Sequence, residues 1–316
     1  MEARDGDYGV SDGRWLRVDW GSKIERVAID SELGVSEVEY VSLGEGPTIV
    51  LVHGLAGSWR NWLENIPRLS DRHRVVALDL PGFGDSPLPE KPITMPGYGS
   101  MLVSLADRLG LPEETILVGH SMGGVVVTEA LLAAPGRFSG ASLVAAAGTA
   151  FTRTSKSRKR VARAIIALNR LPAPERTGRG LSRPRLRAAS LGSFIAHPNE
   201  IDPEILWELV TYGARAPGTL QAAYALSGFD GRNRLGAIDL PVLLLWGARD
   251  LLVPLRAAYS YRKRLPESEL VVLNDTGHMV QIERPARFDW EIEEFAREVI
   301  GVESPVQPVL EPPDGR

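Results

Sequence analysis

The stretch Gly119-His120-Ser121-Met122-Gly123 carries most of what this chain says about itself. An apolar run, Thr115-Ile116-Leu117-Val118, precedes it, and a helical run from Gly124 to Leu132 follows it. G-x-S-x-G between a strand and a helix is the pattern of a nucleophile elbow. A bend that tight leaves no room for side chains at Gly119 and Gly123. It lifts the Ser121 hydroxyl above the sheet edge and strains the serine backbone. Met122 puts its N–H at the start of the helix, where it can meet a developing negative charge.

Outward from the elbow the chain alternates strands and helices. Thr48–Val52 reads as a buried parallel strand that ends at His53-Gly54-Leu55-Ala56-Gly57-Ser58. A helix is expected over 60–69, a strand over 74–78, and a helix over about 98–109. Ala141–Ala147 is a further strand. This rhythm predicts an α/β fold, a parallel sheet with helices on both faces. It stops after Gly148, where residues from about 151 to 235 show helical patterns, several prolines and no convincing strand. It resumes with a strand over 241–246, a helix over 255–265, a strand over 269–273 and a helix over 285–299. The simplest organisation is a core of 37–150 and 236–300 with a helical cap, 151–235, inserted over the catalytic edge. Residues 1–36 form an N-terminal extension, loose over 1–13, with an edge strand or short hairpin over 14–19 and 25–30. Residues 301–316 read as a disordered tail.

Bulk properties narrow the function classes. The chain has 316 residues, 44% of them hydrophobic, which suffices for a large core. A formal charge of −4 and a pI near 5.8 argue against a nucleic-acid partner. There is no cysteine, hence no disulfide and no thiolate nucleophile. No metal-ligand motif appears among the five histidines. No apolar run is long enough for a membrane span, and the polar start, Met1 to Asp7, lacks a signal peptide, so a cytoplasmic location is expected.

A serine nucleophile needs a base, and the base an orienting acid. His278 follows the last expected strand and so lies at the C-terminal sheet edge, where parallel sheets bind ligands. His120 adjoins the nucleophile and should point away from it, His53 should brace its loop, His73 is at the wrong sheet end, and His197 is in the cap. Asp250 follows Trp246-Gly247-Ala248-Arg249 at another strand end and is the preferred acid. Asp275 is close in sequence to His278 but suits a turn. Ser121, Asp250, His278 is the chain order of this type of triad. An oxyanion hole needs two donors: Met122 N–H, and Leu55 N–H from the loop after Thr48–Val52.

These residues, with Asp79-Leu80-Pro81-Gly82-Phe83-Gly84-Asp85-Ser86 and Gly277-His278, make the chain resemble the α/β-hydrolase superfamily over about residues 37–300. The resemblance implies an eight-stranded, mostly parallel sheet with a helical cap after the sixth strand. It implies no cofactor and no metal, and a structural rather than chemical role for 79–86. The family's aspartate-dependent dehalogenases and epoxide hydrolases are disfavoured by Ser121. The broadest fit is a serine hydrolase that cleaves small or medium apolar carboxylic esters through an acyl-enzyme. Perhydrolase, lactonase and C–C bond hydrolase activities stand as alternatives. The last rests on Asn61 and Trp62, which resemble part of the motif of ring-cleavage hydrolases. A non-catalytic ligand-binding relative is a further alternative, disfavoured because all three triad candidates are present.

In the cap, Phe194 and Trp207, with Asn61 and Trp62 of the core, are candidates for the substrate-binding wall. A basic run, Arg153, Lys156, Arg158, Lys159, Arg160 and Arg163, reads either as a solvated helix face or as an attractor of anionic substrates. The expected partner is a small-molecule ester; monomer and homodimer both fit the sequence.

Overall fold

The central strands are short runs of apolar residues with no polar alternation. That pattern belongs to a sheet covered on both faces. The computed structural model describes residues 7–149, 183–213 and 216–301. Its strands are β1 (Ile24–Ser31), β2 (Gly34–Leu43), β3 (Thr48–Val52), β4 (Arg74–Leu78), β5 (Ile116–His120), β6 (Gly140–Val144), β7 (Val242–Gly247) and β8 (Ser268–Leu273). They form one eight-stranded sheet in the order β1-β2-β4-β3-β5-β6-β7-β8. β2 pairs antiparallel with both β1 and β4, and every other pairing is parallel. Strands β3, β5, β6 and β7 are buried at every position.

The two-residue period of each strand divides its side chains between two cores. Val50 and Val52 of β3, Val76 and Leu78 of β4, and Leu244 and Trp246 of β7 face one core. Ile49 and Leu51, Val75 and Ala77, and Leu243 and Leu245 face the other. The first core is closed by helices α2 (Met95–Arg108) and α3 (Met122–Ala133), the second by α1 (Ile66–Leu69) and later helices. α3 is buried on every side from Met122 to Leu131 except at its last turn, which explains why its sequence shows no polar face.

The helical insert is seen from residue 183 onward. It contributes α4 (Pro184–Leu191), α5 (Pro203–Gly213) and α6 (Thr219–Gly228), with no strand among the described residues between 183 and 235. α5 adds Ile205, Leu206 and Val210 to the second core, and α6 adds Ala222, Ala223 and Leu226 to the first. The cap therefore grips both sides of the sheet. The chain then completes the sheet and adds α7 (Arg256–Arg262), α8 (Val280–Glu283) and α9 (Pro285–Ile300). The basic run over 153–163 and the tail from 302 lie outside the described residues. No helix among the described residues is long and apolar enough to cross a membrane.

Three local expectations differ from the structure. The helix expected over 60–69 is broken into a 3-10 turn, Trp59–Trp62, and the single turn of α1. Pro67, in the first turn of α1, has no N–H to continue a helix from the preceding turn. Residues 14–17 form a 3-10 turn, while 25–30 lie within β1. Residues 7–9 are not loose: Asp7 and Tyr8 are buried, and Gly9 N–H donates to the Glu283 carbonyl at 2.8 Å. A single buried tyrosine outside any periodic segment leaves no pattern in the sequence.

Candidate active site

The order of the strands locates the site. From β3 the chain steps to β4 on one side, and then returns to β5 on the other. Outside the carboxyl ends of β3 and β5 the loops therefore diverge, leaving the crevice where open parallel sheets bind ligands. Ser121 sits at the end of β5, and the 53–57 loop at the end of β3.

Ser121 has φ 55° and ψ −111°, an uncommon conformation for a residue with a side chain. Its N–H donates to Val144 O at 2.9 Å, and its carbonyl accepts from Ala147 N–H at 3.0 Å. These bonds to the end of β6 hold the bend. A Cβ on Gly119 would strike the backbone of Gly123, and one on Gly123 would strike the carbonyls of Val52 and His53. Both glycines are thus required by close backbone approach. Gly54 has the same role across the crevice: a Cβ there would lie 3.0 Å from Ser121 Cβ. The N–H of Met122 opens α3 beside the serine, and half-buried Leu55 follows Gly54 in the facing loop.

That loop is braced by His53. Its Nδ1 lies 2.7 Å from Gly54 O, and Leu80 N–H donates to its Nε2 at 3.0 Å. A carbonyl only accepts and an amide only donates, so the ring is neutral with its proton on Nδ1. Burial pushes its pKa down to about 4, opposed by the bond to Gly54. An unfolded imidazole titrates near 6.5. Between these values the unfolded chain binds a proton that the folded chain refuses. The stabilisation is therefore complete above about 6.5 and lost as pH falls towards 4, a total on the order of 3 kcal/mol. His53→Gln should flatten the acid-side decline of the urea-unfolding free energy between pH 7 and 4. An unchanged slope would contradict this tautomer.

Asp79 and its segment form a second brace. Its Oδ1 accepts from Trp59 N–H at 2.7 Å and its Oδ2 from Asp85 N–H at 2.9 Å. Ser86 Oγ donates to Asp79 O and accepts from Glu39 N–H, both at 2.8 Å. Burial raises the Asp79 carboxyl to about 7, with the backbone donors opposing. Glu39, Asp79 and Asp85 approach one another within 4.8 Å. The bonds of Asp79 to backbone and of Glu39 to Arg26 give this cluster a scaffolding role.

Asp250 and His278 meet in the buried crevice: Nδ1 lies 2.7 Å from Asp250 Oδ2. The other carboxylate oxygen accepts from Leu252 and Val253 N–H at 2.8 and 2.7 Å. The acid is therefore fixed by its own loop and can orient a neutral imidazole or balance an imidazolium. With Nδ1 committed, Nε2 is the nitrogen left for proton transfer. His278 N–H donates to Phe194 O of the cap at 2.8 Å, and its carbonyl lies 3.0 Å from His120 Nε2. His120 must be the donor there. Burial holds its pKa well below the ordinary imidazole value, so it serves as a neutral support. Asp275 is turned elsewhere. At φ 53° it accepts from cap residue His197 at 2.9 Å and pairs with Arg249 at 2.8 Å. Burial would raise its pKa, but these neighbours hold it low.

The four candidates for the substrate wall divide. Asn61 is buried, and its Oδ1 accepts from Ser58 N–H in a capping box. Trp62 is fully buried, with its ring 5.8 Å from that of Phe288 and 6.5 Å from that of His120. Both brace the loop, Asn61 through its bond to Ser58 and Trp62 through its ring contacts. Phe194 and Trp207 are half-buried against the second core.

Other residues at the site left no motif in the sequence. Arg60 lies 3.6 Å above the Tyr212 ring of α5 and 4.4 Å from that of Trp59, joining cap to core. Glu283 is buried and collects four donors, two from its own neighbouring loop and one each from the N-terminal segment and the cap. Its place five residues after His278, in the turn Val280-Gln281-Ile282-Glu283, carries no motif.

A family model described as alpha/beta hydrolase fold matches residues 47–285. The chain is 30% identical over 255 residues to a pimeloyl-[acyl-carrier protein] methyl ester esterase of Aeromonas hydrophila, covering 80% of this chain and 96% of that one. It is also 30% identical over 276 residues to the dihydrolipoyllysine-residue acetyltransferase component of an acetoin cleaving system of Pseudomonas putida, covering 84% and 68%. Among solved structures it is similar to a thermophilic esterase from Thermogutta terrifontis, with TM-score 0.73, 26% identity, and coverage of 87% and 99%. Sheet order, elbow and matched sequence agree: the chain belongs to the α/β-hydrolase family.

Proposed function

We propose that the protein is a serine hydrolase of carboxylic esters with small or medium apolar acyl groups. The observation that carries this reading is the buried Asp250–His278 pair at 2.7 Å, on the same sheet edge as the strained Ser121. Ser121 Oγ attacks the ester carbonyl as His278 Nε2 takes its proton. The tetrahedral oxyanion is stabilised by Met122 N–H and Leu55 N–H. His278 then returns the proton to the leaving alcohol, giving an acyl-enzyme that water cleaves by the same steps in reverse roles. Asp250 stays ionised and balances the imidazolium. Phe194 and Trp207 of the cap are assigned to the acyl group, and the cap over 183–235 shields the reaction from water. Similarity to a methyl ester esterase and to a further esterase structure supports the same chemistry. The cysteine-free composition suits a cytoplasmic enzyme, testable by cell fractionation.

A panel of p-nitrophenyl esters from acetate to palmitate tests the substrate class. kcat/KM should peak at short or medium acyl chains and fall for palmitate. A ring-cleavage dienoate should be turned over at least about 100-fold less efficiently than the best ester. A preference for the dienoate would replace ester hydrolysis with C–C cleavage.

A further inference from the structure

His278 is held by three consecutive backbone amides, none of which is bonded within its own loop. Gly277 N–H donates to Glu283 Oε2 at 2.8 Å, His278 N–H to Phe194 O at 2.8 Å, and Met279 N–H to Glu283 Oε1 at 3.0 Å. The orientation of the Glu283 carboxylate therefore fixes the loop on either side of the histidine. That same carboxylate accepts from cap residue Ala196 N–H at 2.9 Å and from Tyr8 Oη–H at 2.6 Å. Gly277 has no space for a side chain: a Cβ would lie 2.8 Å from Ala196 N and 3.0 Å from Phe194 O. Cap and histidine loop are thus in direct backbone contact.

Tyr8 completes the assembly from the far end of the chain. Its hydroxyl donates to Glu283 and accepts from His197 N–H of the cap at 2.8 Å. Its ring stands edge-on to the His197 ring at 5.1 Å, and the Arg284 guanidinium lies 5.1 Å from its centre. On either side, Asp7 pairs with Arg284, and Gly9 N–H donates to Glu283 O. Gly9, at φ 67°, also packs against Glu200 and Ile201 of the cap, where a Cβ would clash.

We propose that Tyr8 is a positioning residue for His278: through Glu283 its hydroxyl locks the N-terminal segment, the cap segment 194–197 and the histidine loop into one arrangement. The proposal rests on the reading of His278 as the base. Without the hydroxyl, Glu283 Oε2 keeps the amides of Gly277 and Ala196 but loses its side-chain donor from the N-terminal segment, and His197 N–H loses its acceptor. The ring and its packing remain. The loop then samples rotated positions in which His278 is misaligned with Ser121, while the acyl site is untouched. Misalignment of this kind lowers the rate of proton transfer more than it lowers binding.

Tyr8→Phe in the full-length protein tests this. Active sites are counted with a fluorophosphonate that labels Ser121, and kcat is expressed per labelled site. We expect kcat to fall about tenfold with KM within about twofold, and phosphonylation to slow by a similar factor. The low-field proton resonance of the His278 Nδ1–H···Asp250 bond should shift or broaden. If each labelled site turns over at the wild-type rate, the proposal is wrong, and a mere loss of labelled sites marks Tyr8 as a stability element only. An unmoved resonance also overturns it. Failure of the esterase reading is distinct: wild-type protein would then take no label at Ser121, while the resonance would still report on the loop.

Discussion

Replacing Ser121 by alanine should lower kcat/KM for a p-nitrophenyl ester by about 10³-fold or more, with the fold intact. In the proposed mechanism its Oγ is the protein atom that bonds covalently to the substrate. On that mechanism its loss leaves only the proposed oxyanion donors and acyl site, which would sustain a small residual rate. The fold should tolerate the change because the elbow is held by the backbone bonds of residue 121 to Val144 and Ala147, not by its hydroxyl. Melting curves within a few degrees of wild type, with turnover abolished, are the expected pair of results. Unchanged turnover would remove Ser121 from the mechanism.

Asp250→Asn should be nearly as severe, about 10²- to 10⁴-fold in kcat. Asp250 presents one oxygen to His278 Nδ1 and the other to two backbone amides. An amide cannot satisfy both sides. If its oxygen keeps the backbone donors, its NH2 faces Nδ1 and selects the tautomer with the proton on Nε2, which cannot accept the serine proton. Asp275→Asn should cost less than about fivefold, because that carboxylate faces His197 and Arg249 instead. Kinetics of both variants on one ester decide between the two acids. A dispensable Asp250 beside a critical Asp275 would overturn the assignment.

Why was so much of this legible in the sequence? The sheet was readable because its central strands are continuous apolar runs closed by glycine-containing turns, a local signal. The elbow was readable because backbone crowding at Gly119 and Gly123 demands glycine on both sides of the serine. Asp250 and His278 were readable from their places just past strand ends. What was not legible is held by contacts between distant segments. Tyr8 reaches Glu283 across 275 residues, and no local pattern marks either one. The bracing roles of Asn61 and Trp62 were not readable for a related reason. Asn61 closes a capping box with Ser58, and Trp62 packs against Phe288, which lies far along the chain. The break near Pro67 was visible in principle, since proline at that position ends one helical register and begins another.

The central claim is that a Ser121 ester is formed and hydrolysed with His278 as base. Its most direct test is intact-mass and peptide analysis after treatment with a slowly deacylating p-nitrophenyl ester, quenched in acid during turnover. We predict one acyl group per chain, located on Ser121, absent from Ser121→Ala and accumulating far more slowly in His278→Ala. Rapid ester hydrolysis with no adduct on Ser121, or an adduct on another residue that turns over at the steady-state rate, would contradict it.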